Sequence, residues 1–280
     1  MAILLAGLSA LLYGAADFCG GLATRKSPLF AVLVFSQAIG LVLAIAASAV
    51  LGVGFPPVRD LAWGALAGLC GAAGIATLYL ALATTIVAVA SPVAAVIGAA
   101  IPMLLGVATG DRPGILSWVG ISLAIPAIVL LTAGPVEKGG GEKLRRAVWL
   151  GIVAGLSFGL FFSAISRTSA GSGLWPLASA RITVVTLVLL FALFTRRSLR
   201  VSASNLPMVG LAGLLDMGAN IAFLLASRSG MLTIVAVIDS LYPGPTVLLA
   251  WLVLREKMSR PQVAGLVLAL AGVALISARG

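Results

Sequence analysis

Long apolar runs dominate the chain, and short polar or turn-forming segments separate them. Ten runs of about 20 residues can be traced, at 3–22, 29–51, 61–82, 86–108, 115–134, 147–167, 175–194, 206–226, 232–253 and 261–278. Proline, glycine and charged residues mark most of the breaks between them. Because about 20 helical residues cross the apolar core of a bilayer, the pattern predicts ten transmembrane helices in an all-α integral membrane protein.

The composition excludes several other classes of protein. Only 9% of the residues are charged, against roughly 25% in a soluble domain. The net charge of +10 comes from cations that lie singly or in small groups between apolar runs, so no nucleic-acid partner is predicted. The chain has no His, and Cys19 and Cys70 lack metal-type spacing. We therefore predict no enzymatic centre, no metal and no cofactor.

The loop cations predict an orientation. If the N-terminus is outside, 12 of the 18 Lys and Arg fall in cytoplasmic connections, five fall outside and Arg181 lies within a span. Cytoplasmic loops carry the excess of cations in membrane proteins. Both termini are therefore expected to be extracytoplasmic, in the inner (cytoplasmic) membrane of a bacterium.

Two short segments recur at one offset and indicate a duplication. AGLS at 6–9 returns at 154–157, and TIVAV at 85–89 returns at 233–237, both 148 residues later. The predicted domains are a first five-helix repeat (1–134), a cytoplasmic linker (135–146) and a second five-helix repeat (147–280). An odd number of spans inverts the second copy, and inverted repeats are typical of alternating-access transporters.

The end of each half carries a further motif. Glu256 stands nine residues before Gly265, and Asp111 stands nine residues before Gly120. With the duplication and the number of spans, these residues make the chain resemble the drug/metabolite transporter superfamily, specifically its ten-span EamA-type family. The resemblance implies ten helices around a central cavity and secondary transport of a small metabolite. Similar proteins often carry Arg in the second span as well as the seventh, whereas this chain has Gln37 in the second.

Three of the eight acidic residues fall within predicted spans, where an ionisable group costs roughly 2.5–3.5 kcal/mol. Each has a polar companion three or four residues away on its own helical face: Tyr13 with Asp17, Asn220 with Asp216, and Tyr242 with Asp239. These six residues are candidates for binding a substrate or a proton. The alternative for each Asp is an interior group satisfied by a neighbouring helix.

Arg181 in the seventh span has two interpretations. It is either a structural cation that pairs with an acid between helices or a contact for an anionic part of the substrate. Three acids and one Arg would leave a net charge of about −2 at membrane depth if all ionise. This balance favours a cationic or zwitterionic substrate, or proton exchange, over a dianion.

Proline interrupts two spans in corresponding positions. Pro92 and Pro102 lie in the fourth span, and the Pro243-Gly244-Pro245 triplet lies in the ninth. Broken helices in matching positions of two halves point to a transporter's binding site, although a kink can also serve packing alone. Gly151, Gly155 and Gly159 predict close helix packing in the sixth span, either within one chain or between protomers, so both a monomer and a homodimer stay open.

These patterns together predict a secondary active transporter that works by alternating access. We expect it to export a small amino acid, amine or drug-like compound, with proton exchange at Asp216 or Asp239 as an option. A lipid-linked sugar flippase or a non-transporting membrane subunit of the same superfamily is the alternative.

Overall fold

The structure, a computed structural model, describes residues 1–84, 87–132, 141–255 and 258–278, and of residues 79, 82–84, 87–89, 91 and 92 only the helical backbone. These described residues form α-helices and two short 3₁₀ turns, without a strand. The helices are α1 (Ala2–Thr24), α2 (Leu29–Val50), α3 (Val58–Thr84), α4 (Val87–Ala108), α5 (Ile115–Leu131), α6 (Gly141–Ser166), α7 (Trp175–Phe194), α8 (Leu206–Ser229), α9 (Leu232–Asp239), α10 (Pro243–Leu254) and α11 (Arg260–Ser277). The predicted all-α class is confirmed for this part of the chain.

Eight described segments are long and apolar enough to cross a membrane, when α9 and α10 are counted as one. Two further apolar helices are shorter: Val93–Ala108, which lies within α4, and Ile115–Leu131, which is α5. The helix bounds follow the predicted runs closely because the thickness of the bilayer sets the length of a spanning helix. The total of ten spans and the inverted repeat stay predictions.

The start of α6 differs from the prediction. α6 begins at Gly141, so the second half of the segment predicted as a linker (135–146) is helical. Glu, Lys and Arg are good helix formers, and the side chains of 141–146 are all exposed, so this charged turn extends the helix beyond its apolar part. The first half of the predicted linker lies outside the described residues.

The small residues of α6 pack against α4. A Cβ placed on Gly151 would lie 2.8 Å from the Ala90 carbonyl oxygen, and one on Gly155 would lie 2.7 Å from that of Ala94. The numbers of the contacting residues increase in the same direction along both helices, so α4 and α6 run parallel. The close packing that these glycines predict is therefore a contact within the chain.

Contacts between α1 and α8 define the two ends of the bundle. Asn205, just before α8, donates from Nδ2 to the Ala23 carbonyl near the end of α1 at 2.8 Å. At the other end, a Cβ on Gly230, just after α8, would touch Ala2. The two helices are thus antiparallel. We call the end that carries the α1–α2 connection the Arg25 end, and the end that carries the α2–α3 connection the Asp60 end.

The predicted break in the ninth span occurs between α9 and α10. Pro243 and Pro245 have no N–H, so the carbonyls four residues before them cannot accept helical hydrogen bonds. Those carbonyls accept bonds from three residues later instead: Tyr242 N donates to Asp239 O at 3.1 Å, and Gly244 N donates to Leu241 O at 2.9 Å. Two lost donors within one turn therefore end α9 at Asp239.

The predicted interruption of the fourth span is wrong. α4 runs from Val87 to Ala108 through Pro92 and Pro102 without a break. These prolines are ten residues apart, so each removes one bond from a ladder that continues on either side. Neighbouring helices support proline-containing helices in membrane proteins, and α6 packs along α4 in this way.

Candidate functional site

A cavity of about 260 Å³ lies inside the bundle. Its wall comes from α1, α2, α3, α4, α6, α8 and α9, together with Tyr242 in the helix break, so both halves of the chain contribute. The lining reaches Thr24 and Val32 on either side of the α1–α2 connection, and the cavity therefore extends toward the Arg25 end. Small residues leave the space along α1 and α4: Ala16, Gly20, Gly21, Ala94, Ala95, Gly98 and Ala99.

Three carboxylates line this cavity: Asp17 of α1, Asp216 of α8 and Asp239 of α9. Asp17 is exposed, the side chain of Asp216 is 25% exposed, and Asp239 is 3% exposed. Among the described residues of the lining there is no Lys or Arg. The carboxyl groups of the described wall are therefore not balanced by a basic side chain within the lining itself.

Arg181 of α7 lies buried behind Asp216. Its Nη2 donates to Asp216 Oδ2 at 2.6 Å, and its Nη1 donates to Gln37 Oε1 on α2. Gln37 Nε2 also donates to Asp216 Oδ2, at 3.4 Å. The guanidinium thus balances the charge of Asp216, and the contacts join three helices. This geometry favours the structural interpretation of Arg181.

Asp239 is the last residue of α9, so the helix break begins where this carboxylate lines the cavity. Its Oδ1 is buried and has no hydrogen-bond partner among the described residues. Ser9 of α1 lies against the carboxyl, but the Ser9 hydroxyl donates to the Ala219 carbonyl at 2.8 Å. The wall therefore holds a buried acceptor with unused capacity.

Aromatic rings form one side of the cavity, which we call the aromatic wall: Tyr13, Phe162, Phe223 and Tyr242. The Tyr13 ring meets Phe162 edge to face at 6.0 Å and Tyr242 at 6.4 Å between centroids. Phe162 and Phe223 are 4.5 Å apart. The three helices α1, α6 and α8 are thus joined by aromatic contacts beside the carboxylates.

Residues 145–278 match the model of the EamA-like transporter family. This stretch is similar to that family, and we call it the EamA-like domain. This match confirms the predicted resemblance for the second half of the chain, and the apolar helices indicate a multi-pass membrane protein. Asp216 and Asp239 belong to the EamA-like domain, whereas Asp17 lies before it.

Two relatives extend the comparison. The chain is 31% identical over 145 residues to a probable terminal-alkyne amino-acid exporter from Streptantibioticus cattleyicolor. That match covers 49% of this chain and 47% of the exporter, so the chain spans about half the length of this curated relative. A crystal structure of another protein superposes with a TM-score of 0.80 over 99% of this chain and 96% of that one, at 19% identity. It shows a shared fold.

Most of the candidate residues come together in the structure. Five of the seven binding candidates line the cavity: Tyr13, Asp17, Asp216, Asp239 and Tyr242. Arg181 reaches it only through Asp216. Asn220 of the EamA-like domain is buried and donates to the Asp216 carbonyl of its own helix at 2.8 Å, and it is not part of the lining. Of the break residues, Pro102 lines the cavity, and the side chain of Pro92 lies outside the described residues.

Three residues complete the site although they are not among the predicted site residues. Gln37 contacts both Arg181 and Asp216, and Phe162 and Phe223 supply half of the aromatic wall. Gln37 is an amide within a long apolar run, a signal that could have marked it. The phenylalanines carry no such signal, because a Phe in an apolar span is as favourable facing lipid as it is lining a cavity.

Polar contacts tie the Asp60 end of the bundle together. Asp60, in the first turn of α3, accepts from Ser169 N at 3.1 Å and from the hydroxyls of Ser169 and Ser172. Arg228, in the last turn of α8, donates to the Ser169 carbonyl at 2.8 Å and to that of Gly173 at 2.9 Å. The α6–α7 connection of the EamA-like domain is thus held by a carboxylate on one side and a guanidinium on the other.

Asp111 makes a second contact between the halves at this end. Its Oδ2 accepts from the Thr233 backbone N–H at 2.8 Å, in the first turn of α9. The N-cap residue of α9, Met231, makes no side-chain cap. A carboxylate is favourable at a helix N-terminus, so Asp111 caps the broken helix of the EamA-like domain from the first half of the chain.

Proposed function

We propose that the protein is a secondary active transporter that exports a small metabolite by alternating access, with the central cavity as its binding site. The candidates are an amino acid, an amine or a drug-like compound. The observation that carries the proposal is a cavity lined by helices of both halves, in which three carboxylates lie within otherwise apolar helices. Ionisable residues at membrane depth that face an interior space mark substrate or ion pathways.

The size of the cavity supports a small substrate. Its volume of about 260 Å³ lies just below the roughly 300–1,000 Å³ that small-molecule sites occupy. The match to a probable amino-acid exporter supports export of a compound in this range. A lipid-linked sugar is larger and stays the alternative substrate.

The difference between the two ends of the bundle supports alternating access. The cavity extends toward the Arg25 end, whereas the contacts of Asp60, Arg228 and Asp111 hold the Asp60 end together. With the Arg25 end in the cytoplasm, as the loop cations predict, we propose that this state receives substrate from the cytoplasm. Release would then require the polar contacts at the Asp60 end to part.

Coupling to protons is the energy source that we propose. Asp239 and Asp216 are the candidate proton carriers, because each lines the cavity and lies within the membrane-spanning part of the EamA-like domain. Asp216 is paired with Arg181 and is thus the less available of the two.

Transport by the purified full-length protein in liposomes tests the proposal. A first comparison of metabolites in cells that lack and cells that overproduce the protein supplies the candidates. We expect the vesicles to move at least one candidate, faster when a pH gradient is imposed. The exposed carboxyl of Glu142 lies outside the cavity, so Glu142→Gln is the matched control for Asp239→Asn.

The outcomes separate the functions. Loss of the pH-gradient effect in Asp239→Asn, with Glu142→Gln unchanged, would support proton coupling at Asp239. Vesicles that move no metabolite across the panel would contradict a metabolite exporter and favour a flippase or a non-transporting subunit.

A further inference from the structure

We infer that the cavity recognises an ammonium group through Asp17 and Asp239 and that its substrate carries no carboxylate, so that it takes an amine rather than an amino acid. The inference rests on the proposed function and narrows its substrate class. Four features of the described residues carry it: the charge balance, the free acceptor, the aromatic wall and the blocked helix terminus.

The charge balance leaves two carboxylates for a ligand. Arg181 donates to Asp216 and Gln37 through its two terminal nitrogens, so it both neutralises Asp216 and is itself occupied. Asp17 and Asp239 face the same cavity without an Arg or Lys in the described lining. A cation is therefore the complementary ligand.

Asp239 supplies an acceptor that needs a donor. The residue is 3% exposed, and its Oδ1 has no hydrogen-bond partner among the described residues. A buried polar atom without a partner is costly, and buried polar groups in proteins are nearly always satisfied. A primary ammonium group has three N–H donors, and one of them would satisfy this oxygen.

The aromatic wall favours the same kind of ligand. Cations are attracted to the faces of aromatic rings, and Tyr13 and Tyr242 lie 6.4 Å apart on the wall. Asp17, Asp239 and Tyr242 line the same cavity. A cation beside Asp239 would contact this carboxylate and the Tyr242 ring together, and its apolar part would face Phe162 and Phe223.

The broken helix offers no site for a carboxylate. In transporters the N-terminus of a half-helix can bind an anionic group through free N–H donors. Here α10 begins Pro243-Gly244-Pro245, and proline has no N–H. The N–H groups of Gly244 and Thr246 already donate to the carbonyls of Leu241 and Tyr242. A substrate carboxylate in this cavity would thus meet acidic side chains without a compensating donor from α10.

Equilibrium binding to the purified full-length protein tests the inference. The probes are matched sets with one side chain and three charges: 2-phenylethylamine, phenylalanine and 3-phenylpropionate, and likewise tryptamine, tryptophan and indole-3-propionate. We expect at least one amine to bind about tenfold or more tightly than its amino acid and its acid. Asp239→Asn and Asp17→Asn should each weaken amine binding at least about tenfold, whereas Glu142→Gln should leave it unchanged.

The binding test gives an answer even if one of the two Asp variants fails to fold. Asp17 is exposed in the cavity, so Asp17→Asn retains a measurable fold if Asp239→Asn does not. Amino acids that bind as tightly as their amines, or amines that fail to bind, would overturn the inference. Vesicles that move an amino acid would leave the proposed exporter intact and refute only its amine selectivity, whereas vesicles that move nothing would refute the exporter itself.

Discussion

Arg181 organises the polar centre of the bundle. It is buried, and it joins Gln37, Asp216 and its own helix α7 through its guanidinium. A lone cation in an apolar run already indicates an anionic partner, either an acidic side chain or part of a substrate, because an unpaired charge is too costly at this depth. Its partner is not encoded locally, since Asp216 and Gln37 lie on other helices and only the packing of α2, α7 and α8 brings them together. Three acids within spans likewise pointed to the cavity, whereas its phenylalanines could not be told from lipid-facing ones.

The Arg181–Asp216 pair predicts a characteristic pattern of stabilities. Arg181→Met keeps most of the apolar volume but leaves Asp216 without its cation, and we expect a loss of about 3 kcal/mol in the free energy of unfolding. Adding Asp216→Leu should restore most of that loss, because no uncompensated charge then remains. Unfolding of the purified proteins in detergent measures both. An Arg181→Met protein as stable as the wild type would show that the pair is not a stabilising contact.

Among the elements, the helices follow from the apolar runs, while their irregularities depend on neighbours. The Pro243-Gly244-Pro245 triplet breaks the ninth span because two donors are lost within one turn. Pro92 and Pro102 looked equivalent in the sequence, yet α4 continues through both. The charged start of α6 was predicted as part of a linker, because a turn with Leu144 as its one large apolar residue does not show the periodicity of a buried helix.

The α4–α6 contact predicts a strong effect of one methyl group. A Cβ on Gly155 would lie 2.7 Å from the Ala94 carbonyl oxygen and 2.8 Å from Ile97 Cβ. Gly155→Ala should therefore push the helices apart and lower the free energy of unfolding by about 1–3 kcal/mol. Gly7→Ala on α1, where nothing lies within 4 Å of the new Cβ, is the control and should be neutral or slightly stabilising. Equal melting temperatures for the two variants would refute the close contact.

At the scale of the whole molecule, the cavity lies between the first-half helices α1–α4 and the second-half helices α6, α8 and α9. The duplication in the sequence pointed to a site between two halves. It could not specify that the cavity extends toward the Arg25 end while Asp60, Arg228 and Asp111 hold the other end together. These contacts join residues more than 50 positions apart, which no local pattern records.

Charge also predicts how the molecule sits in the membrane. Twelve of the 18 cations belong to the connections that the sequence predicts on the cytoplasmic side, and the excess of cations faces the cytoplasm. A reporter enzyme that is active only outside the cytoplasm should therefore be active when fused to the C-terminus and inactive when fused in the α7–α8 connection. The reverse pattern would invert the proposed direction of transport.

Blocking the cavity tests most directly whether it is the transport route. Ala99 of α4 lines the cavity, and Leu104 on the same helix is 59% exposed on the outer surface. In liposomes that move a labelled substrate with the wild-type protein, Ala99→Trp should fill the cavity and reduce the flux to the level of empty vesicles, while Leu104→Trp should retain it. Wild-type flux through folded Ala99→Trp would contradict transport through this cavity.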